Sequence, residues 1–452
     1  MQERYVVTAD LGSSKIAVCV ARILGNDIQV IYYRETPSDG IRYSCVFNPK
    51  RASEALGKAI DLAQKELNIK IMQVVVGLPR YDIRQETASA GMERTDPGSC
   101  ISREEIATIK SMALDSYPLS DETKEMIYGA VAQSFTADDL FQQSEHDVVG
   151  SPADSLEGNF KIFVGAKKPV GNIDIMLNEL EIAPARKIFL PHAIAATVLT
   201  DEEKDNGIAL IEMGAGVTSV SIYKGRILRY YNAIPFGGGN ITSDIKYECG
   251  FKESLAENIK LAYGACMPEK LQSMGEKILQ INDNETGTYE HLPVKYLSEI
   301  ITCREKEILE SILFLIQESG MQERLRNGIV ITGGGANLAN LSNLIKEMSG
   351  YNVRIGYPRV KRLSMDGCAG VNETSAVASM AMLMAASKDE RLNCCNGSGK
   401  KEDDVKGTVF DPLMEEPGQE TPKPKKSERK PIKFTWKKKM EEKIGNLFDN
   451  ME

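Results

Sequence analysis

Two short motifs that pair an acid with a glycine contain the residues best suited to chemistry. The first is Asp10-x-Gly12, in DLGSSK, and the second is Glu212-x-Gly214, in EMGAGVTS. Each carboxylate follows an apolar run and precedes a turn of small and hydroxyl residues, whose backbone amides can approach an anion closely. The motifs lie about 200 residues apart. Such internal similarity predicts two related halves.

A third glycine-rich turn, GGG at 333–335, also follows an apolar run and leads into a predicted helix. Each turn alone is typical of a structural hairpin. Three of them in a duplicated framework indicate a nucleotide site, with one loop from each half at the phosphates and the third at the adenosine. The first turn is no Walker A motif, because it lacks GK[ST] and a strand follows it. The candidate ligand-binding residues of these turns are Gly12, Ser13, Ser14, Lys15, Gly214, Ala215, Gly216, Thr218, Gly333, Gly334 and Gly335.

Apolar periodicity predicts the elements that hold these turns. The N-terminal part reads as three strands, a helix and a buried strand, over residues 5–9, 16–23, 28–35, 49–67 and 71–79. The same pattern of three consecutive strands recurs at 207–234. The region 250–327 is predicted to be mostly helical, with a long helix over 294–320. The run at 375–387 is too short to span a membrane and is predicted to be a buried helix.

Composition limits the possible classes of protein. The 452 residues, 42% apolar and 26% charged, predict a globular chain of several domains. The net charge of −9 argues against nucleic-acid binding, and three histidines without ligand or triad spacing argue against histidine chemistry. Nine cysteines without a CxxC pair and the lack of a signal-peptide pattern predict a reduced, cytosolic protein.

The C-terminal part differs from the rest of the chain in composition and in apolar periodicity. Residues 388–431 have few apolar residues and no period, which predicts a disordered linker. Residues 432–452 predict an amphipathic helix that lies in an anionic membrane surface. The alternatives are a helix that docks on its own domain and a basic tail for nucleic acid. The predicted membrane contacts are the apolar Phe434, Trp436, Met440, Ile444, Leu447 and Phe448 and the basic Lys437, Lys438 and Lys439.

Several longer motifs resemble the FtsA family of the actin-fold superfamily, which also holds sugar kinases and Hsp70 chaperones. They are TADLGSSKIAVCVA, IPFGGGNITSDI, LAENIKLAYGA, VITGGGANLANL and NETSAVASMAMLM. The resemblance implies an α/β, actin-like duplicated ATPase fold that binds ATP and Mg²⁺. It implies catalytic and metal-positioning roles for Asp10 and Glu212. It also adds Gly238, Gly239, Asn240, Glu257 and Lys260 to the nucleotide contacts.

The resemblance further implies a division into subdomains. Subdomain 1A comprises 1–80 and 166–200 and is interrupted by an inserted 1C-type α/β subdomain at 81–165. Subdomain 2A comprises 201–240 and 321–387 and is interrupted by the mostly helical subdomain 2B at 241–320.

One departure from the family pattern affects the predicted activity. Glu212 replaces an aspartate, Ala215 a glycine and Val217 a hydroxyl residue in the second loop. A carboxylate that is one methylene longer shifts the metal or crowds the phosphates. The sequence therefore predicts an ATPase that is weak or inactive. The alternative is a loop that tolerates glutamate and keeps Mg²⁺ in place.

The implied function is that of a cell-division adaptor at the cytoplasmic face of the inner membrane. Its implied partners are the C-terminal peptide of the tubulin-like protein FtsZ, anionic lipids, further copies of itself in filaments, and other division proteins. Arg304 is either a cation for the acidic peptide or part of a solvated helix face, and the charged run REKEILE at 304–310 is predicted to face solvent. The main rival is an ATP-dependent small-molecule kinase, and a third possibility is a pilus-type or chaperone-type scaffold.

Overall fold

The secondary structure alternates strands and helices. The computed structural model describes residues 3–25, 27–96, 98–282, 289–359, 363–364 and 368–395. The strands are β1 (Arg4–Leu11), β2 (Lys15–Leu24), β3 (Asp27–Pro37), β4 (Ile41–Arg42), β5 (Cys45–Val46), β6 (Gln73–Gly77), β7 (Arg84–Glu93), β8 (Glu125–Ala137), β9 (Leu140–Gln143), β10 (Ser155–Ala166), β11 (Ala183–Ile188), β12 (Ile208–Met213), β13 (Thr218–Lys224), β14 (Ile227–Ile234), β15 (Ile278–Asn282), β16 (Tyr289–Pro293), β17 (Ile329–Thr332), β18 (Val353–Ile355) and β19 (Leu363–Ser364). The helices are α1 (Pro49–Leu67), α2 (Arg103–Asp115), α3 (Glu145–Val148), α4 (Lys167–Glu179), α5 (Leu190–Val198), α6 (Asp201–Asn206), α7 (Gly238–Cys249), α8 (Glu253–Tyr263), α9 (Val294–Glu318), α10 (Leu341–Ser349) and α11 (Val377–Ser387).

Two large sheets share one strand order, which confirms the predicted duplication. The first sheet runs β11-β6-β1-β2-β3-β19, and the second runs β14-β13-β12-β17-β18. In each, three consecutive antiparallel strands form a meander, and the first of them pairs in parallel with a later strand. The strands β1 and β12 are therefore equivalent, and each ends at its acid-glycine turn.

The central strands are apolar because helices cover both faces of the first sheet. Val6, Val7 and Ala9 of β1 are buried, as is most of β2. Helix α1 lies against β2 and β3, and α11 lies against β1, β2 and β6. Most of α11 is buried, which confirms the prediction for this run of small and apolar residues.

A smaller four-stranded sheet, β7-β10-β8-β9, has a core of its own and is covered by α2. Helix α2 begins with a capping box, in which Ser102 and Glu105 satisfy each other's backbone amides. This sheet lies in the block that was predicted as an inserted subdomain. The subdomain bounds stay a prediction.

The region 250–327 is mostly helical, as predicted, and also contains an antiparallel hairpin, β15 and β16. No described helix is long and apolar enough to cross a membrane.

Two sequence predictions need correction. The charged run REKEILE was predicted to face solvent, but Glu305 is buried in the helical core.

The second correction concerns the start of the predicted linker, because residues 388–395 belong to the folded body. Cys394 and Cys395 are buried. The amide of Cys394 donates to the carbonyl of Tyr5 at 2.7 Å, and the Cys394 carbonyl accepts from Met72 at 2.9 Å. Arg186 forms an ion pair with Asp389. The rest of the predicted linker lies outside the described residues.

Candidate functional site

The three glycine-rich turns meet at one cavity of about 440 Å³ between the two large sheets. The turn after β1 and the turn after β12 face each other, and the turn after β17 lies beside the second of them. A Cβ placed on Gly216 would come within 2.8 Å of the Ser13 hydroxyl oxygen, so the first two turns are in contact. The duplication therefore brings one turn from each half to a single site.

The first turn is tight because it reverses the chain directly between β1 and β2. A Cβ on Gly12 would lie 2.6 Å from the Lys15 carbonyl oxygen, so a side chain there would force the turn open. The hydroxyl of Ser13 accepts from the amide of Ser44 at 3.3 Å. Lys15 forms an ion pair with Glu35 of β3, with 2.5 Å between Nζ and Oε1.

The second turn is held by the start of α7. The amide of Gly238 donates to the Gly214 carbonyl at 3.0 Å, and the amide of Gly239 donates to the Ala215 carbonyl at 2.8 Å. A Cβ on Gly237 would lie 2.3 Å from the Gly214 carbonyl oxygen. Gly238 and Gly239 were predicted as ligand contacts. They line the cavity, but their amides are already engaged with the turn.

The adenosine end of the predicted site is formed by α8 and the third turn. Lys260 forms an ion pair with Glu257 at 2.7 Å and donates to the Gly238 carbonyl at 2.8 Å. The third turn begins at Gly333, whose φ of +88° and ψ of +169° are accessible almost only to glycine. Leu261 and Leu338 add apolar surface beside it.

Comparison with known proteins shows which family this chain is similar to. The family model described as "Cell division protein FtsA" matches residues 209–382. The chain is 27% identical over 360 residues to the cell division protein FtsA of Neisseria meningitidis, covering 79% of this chain and 85% of the relative. It is also 27% identical over 354 residues to that of Enterococcus faecalis, covering 78% of each. The chain is therefore similar to the FtsA cell-division proteins.

The solved structures add evidence on the fold alone. A PilM-PilN complex of type IV pilus biogenesis aligns with a TM-score of 0.58 at 14% identity, over 84% of this chain and 98% of that one. The predicted actin-like fold is therefore confirmed for this chain.

Arg80 is the main residue of this site that the sequence interpretation missed. Its guanidinium lies between the two acids of the duplicated motifs. Nη2 donates to Asp10 at 2.9 Å and Nη1 donates to Glu212. The three side chains are only 12–14% exposed. Arg80 follows β6, the parallel neighbour of β1, and this was the available signal, because parallel strands that pair end at the same edge of a sheet.

Burial and charge act together on this triad. Burial raises the pKa of the Glu212 carboxyl above its usual value, Arg80 opposes that rise, and Asp10 adds to it. Burial alone would lower the pKa of Arg80, but the carboxylates of Glu212 and Asp10 outweigh it, so the guanidinium stays charged. Arg80 is thus a fixed positive charge between two carboxylates.

The residues present do not fit the predicted metal ion between Asp10 and Glu212. A magnesium ion would need oxygen ligands at about 2.0–2.1 Å in near-octahedral geometry. The Arg80 guanidinium instead occupies the space where both carboxylates point. Among the residues that the structure describes, no group of three or more His, Cys, Asp or Glu side chains could hold a metal.

Two other predicted ligand contacts have structural roles. Thr218 is buried and its hydroxyl donates to the Phe236 carbonyl at 2.8 Å. The amide oxygen of Asn240 accepts from the backbone of Gly237 at 2.9 Å and caps α7. Neither lines the cavity. The predicted residues that do line it are Asp10, Gly12, Ser13, Ser14, Lys15, Glu212, Gly214, Ala215, Gly216, Gly238, Gly239, Glu257, Lys260, Gly333, Gly334 and Gly335.

Arg304, the predicted candidate for binding an acidic peptide, lies on α9 and does not line the cavity. It donates to both carboxylate oxygens of Asp244 on α7, at 2.6 and 2.9 Å, and forms an ion pair with Glu307 at 2.6 Å. It therefore links two helices rather than standing on a solvated face. Its predicted role as a cation for an acidic peptide stays a prediction. The predicted membrane helix, including Trp436, lies outside the described residues.

Proposed function

We propose that this chain is a nucleotide-binding, actin-like adaptor of bacterial cell division. It tethers FtsZ filaments to the cytoplasmic face of the inner membrane and helps to assemble the division machinery. Similarity to FtsA cell-division proteins supports the role in cell division. The observation that carries the nucleotide site is the meeting of two equivalent acid-glycine turns at one cavity, with a third glycine turn beside them. Peptide capture, filament formation and recruitment of other division proteins rest on the family resemblance.

The chemistry of the cavity fits a nucleotide better than a small metabolite. Three small, glycine-rich turns suit close approach of phosphates, Lys15 and Lys260 supply positive charge, and Leu261 and Leu338 offer an apolar wall for a base. ATP is the ligand that we propose.

The arrangement of charges favours binding over hydrolysis. Each of the four carboxylates that line the cavity has a cationic partner: Asp10 and Glu212 have Arg80, Glu35 has Lys15, and Glu257 has Lys260. A paired carboxylate is a poor general base for water or for a substrate hydroxyl. We infer that ATP turnover is weak. The same pairing disfavours a small-molecule kinase.

Removing residues 434–452 should abolish membrane binding, because the basic and apolar side chains predicted to enter the lipid surface all lie there. Flotation with vesicles that contain phosphatidylglycerol measures this directly, with neutral phosphatidylcholine vesicles as the control. An FtsZ C-terminal peptide carrying a fluorophore should float with the full chain and stay behind with the shortened one. Equal flotation of both chains would rule out the tether.

The variant Trp436→Ala should weaken membrane binding by about tenfold or more per tail and leave ATP affinity unchanged. Burying one large apolar side chain contributes roughly 1.5–3 kcal/mol, and about 1.4 kcal/mol corresponds to a factor of ten. Trp436→Phe, which keeps most of the apolar area, is the matched control. Loss of ATP binding in Trp436→Ala would instead mean that the tail docks on the body.

A further inference from the structure

Arg80 occupies the place that the family resemblance assigns to a metal ion. We propose that its guanidinium is the resident cation of the nucleotide site, so that nucleotide binds without a divalent metal held by Asp10 and Glu212. This inference rests on the proposed nucleotide site. It adds that the carboxylates of Asp10 and Glu212 are neutralised by a side chain of the protein.

The position of Arg80 is set by both halves of the molecule. Its backbone carbonyl accepts a hydrogen bond from the hydroxyl of Tyr231 on β14, at 2.5 Å. Tyr231 is itself buried against Phe163 and Phe189, with ring centroids 6.2 and 5.8 Å away. Arg80 is therefore anchored, through Tyr231, to a packed aromatic cluster.

The charges explain why a cation is needed at this point. Asp10 and Glu212 end equivalent strands and converge because the two turns face each other. Two bare carboxylates in a buried site would repel each other and any incoming phosphate. In metal-dependent sites a divalent ion relieves such repulsion. Here one guanidinium relieves it with a separate nitrogen for each acid.

Arg80 keeps one donor without a partner in the part of the chain that the structure describes. Its Nε–H is buried and has no acceptor among the described residues. A buried donor of this kind is costly unless something accepts from it.

The test compares ATP affinity in EDTA with that in millimolar Mg²⁺, by isothermal titration calorimetry on the full chain. The wild-type ratio should stay within about threefold. Arg80→Met should bind ATP at least about thirtyfold more weakly in EDTA and regain affinity with Mg²⁺, because the freed carboxylates can then take the ion. Arg84→Met is the matched control and should behave as wild type, because Arg84 forms ion pairs with Glu86 and Glu125 and does not line the cavity.

A direct metal measurement supplies a readout independent of the nucleotide. Manganese titrated into nucleotide-free protein and followed by electron paramagnetic resonance should show no bound ion in wild type and a bound ion in Arg80→Met. If Arg80→Met does not fold, the double variant Arg80→Met/Glu212→Gln replaces it. That variant leaves only Asp10 to be neutralised and should show a smaller loss in EDTA, again restored by Mg²⁺.

The outcomes separate the two proposals. Wild-type ATP binding that requires Mg²⁺ would overturn the role of Arg80 and leave the nucleotide site intact. An Arg80 variant whose affinity matches wild type in both buffers would overturn it too. A wild-type protein that binds no ATP in either buffer would overturn the nucleotide site and this inference with it.

Discussion

Replacing Gly333 with alanine should lower the free energy of unfolding by about 2–4 kcal/mol and remove ATP binding. Two costs combine. The φ of +88° and ψ of +169° lie in a region that an L side chain adopts only at a cost of about 1–3 kcal/mol. The added Cβ would also lie 2.5 Å from the carbonyl oxygen of Met213, so the backbone that leads into the second turn must move. One methyl group would therefore disturb two of the three turns.

The neighbouring glycine is the control for that experiment. Gly334 lines the same cavity, but a Cβ there would come no closer than 3.9 Å to its nearest neighbour, Ser375. We expect Gly334→Ala to change the free energy of unfolding by less than about 0.5 kcal/mol. Urea denaturation and ATP titration of both variants check this. Equal effects at the two positions would contradict the loop geometry described above.

The positions of the turns were predictable from the sequence because the strands that carry them are strongly patterned. Apolar runs before Asp10, Glu212 and Gly333 mark buried strands, and the duplicated order brings the ends of those strands to one edge. Periodicity and turn chemistry are local properties, so they survive in a single sequence.

Arg80 was missed because its role depends on contacts with residues 70 and 132 positions away. In the string LPRYDIR nothing local separates Arg80, which is buried between acids, from Arg84, which is largely exposed. The same limit explains the error at 388–395. A polar segment that looked disordered packs through two cysteines and hydrogen bonds to distant strands.

Glu305 was misassigned for a related reason, and this produces the second large prediction. It lies on α9 in a run of charged residues that includes the exposed Lys306 and Glu307, but its own carboxylate is fully buried and neither oxygen has a hydrogen-bond partner among the described residues. Burial raises its pKa from the usual value to about 8, and the charge of Lys260 opposes that rise only in part. Glu305 is therefore a buried acid that is protonated at neutral pH.

The wild-type protein should lose about 4 kcal/mol of stability between pH 5 and pH 8 through this one group. A carboxyl whose pKa is higher in the folded state holds a proton that the unfolded chain releases near pH 4.5, so stability falls as the pH rises towards 8. Three pH units at about 1.4 kcal/mol each set the size. Glu305→Gln keeps the shape without a charge. The difference in unfolding free energy between variant and wild type should be near zero at pH 5 and approach about 4 kcal/mol at pH 8.

Two comparisons make this measurement decisive. Glu310→Gln removes an exposed carboxylate from the same helix and should follow the wild-type pH dependence, because an exposed charge is nearly as well solvated when folded as when unfolded. Urea midpoints at pH 5, 6.5 and 8 are sufficient for all three proteins. Parallel curves for wild type and Glu305→Gln would mean that Glu305 is ionised and compensated in the folded protein. A steeper loss in both wild type and Glu310→Gln than in Glu305→Gln would assign the pH dependence to this buried acid rather than to the charges that line the cavity, which are the same in all three.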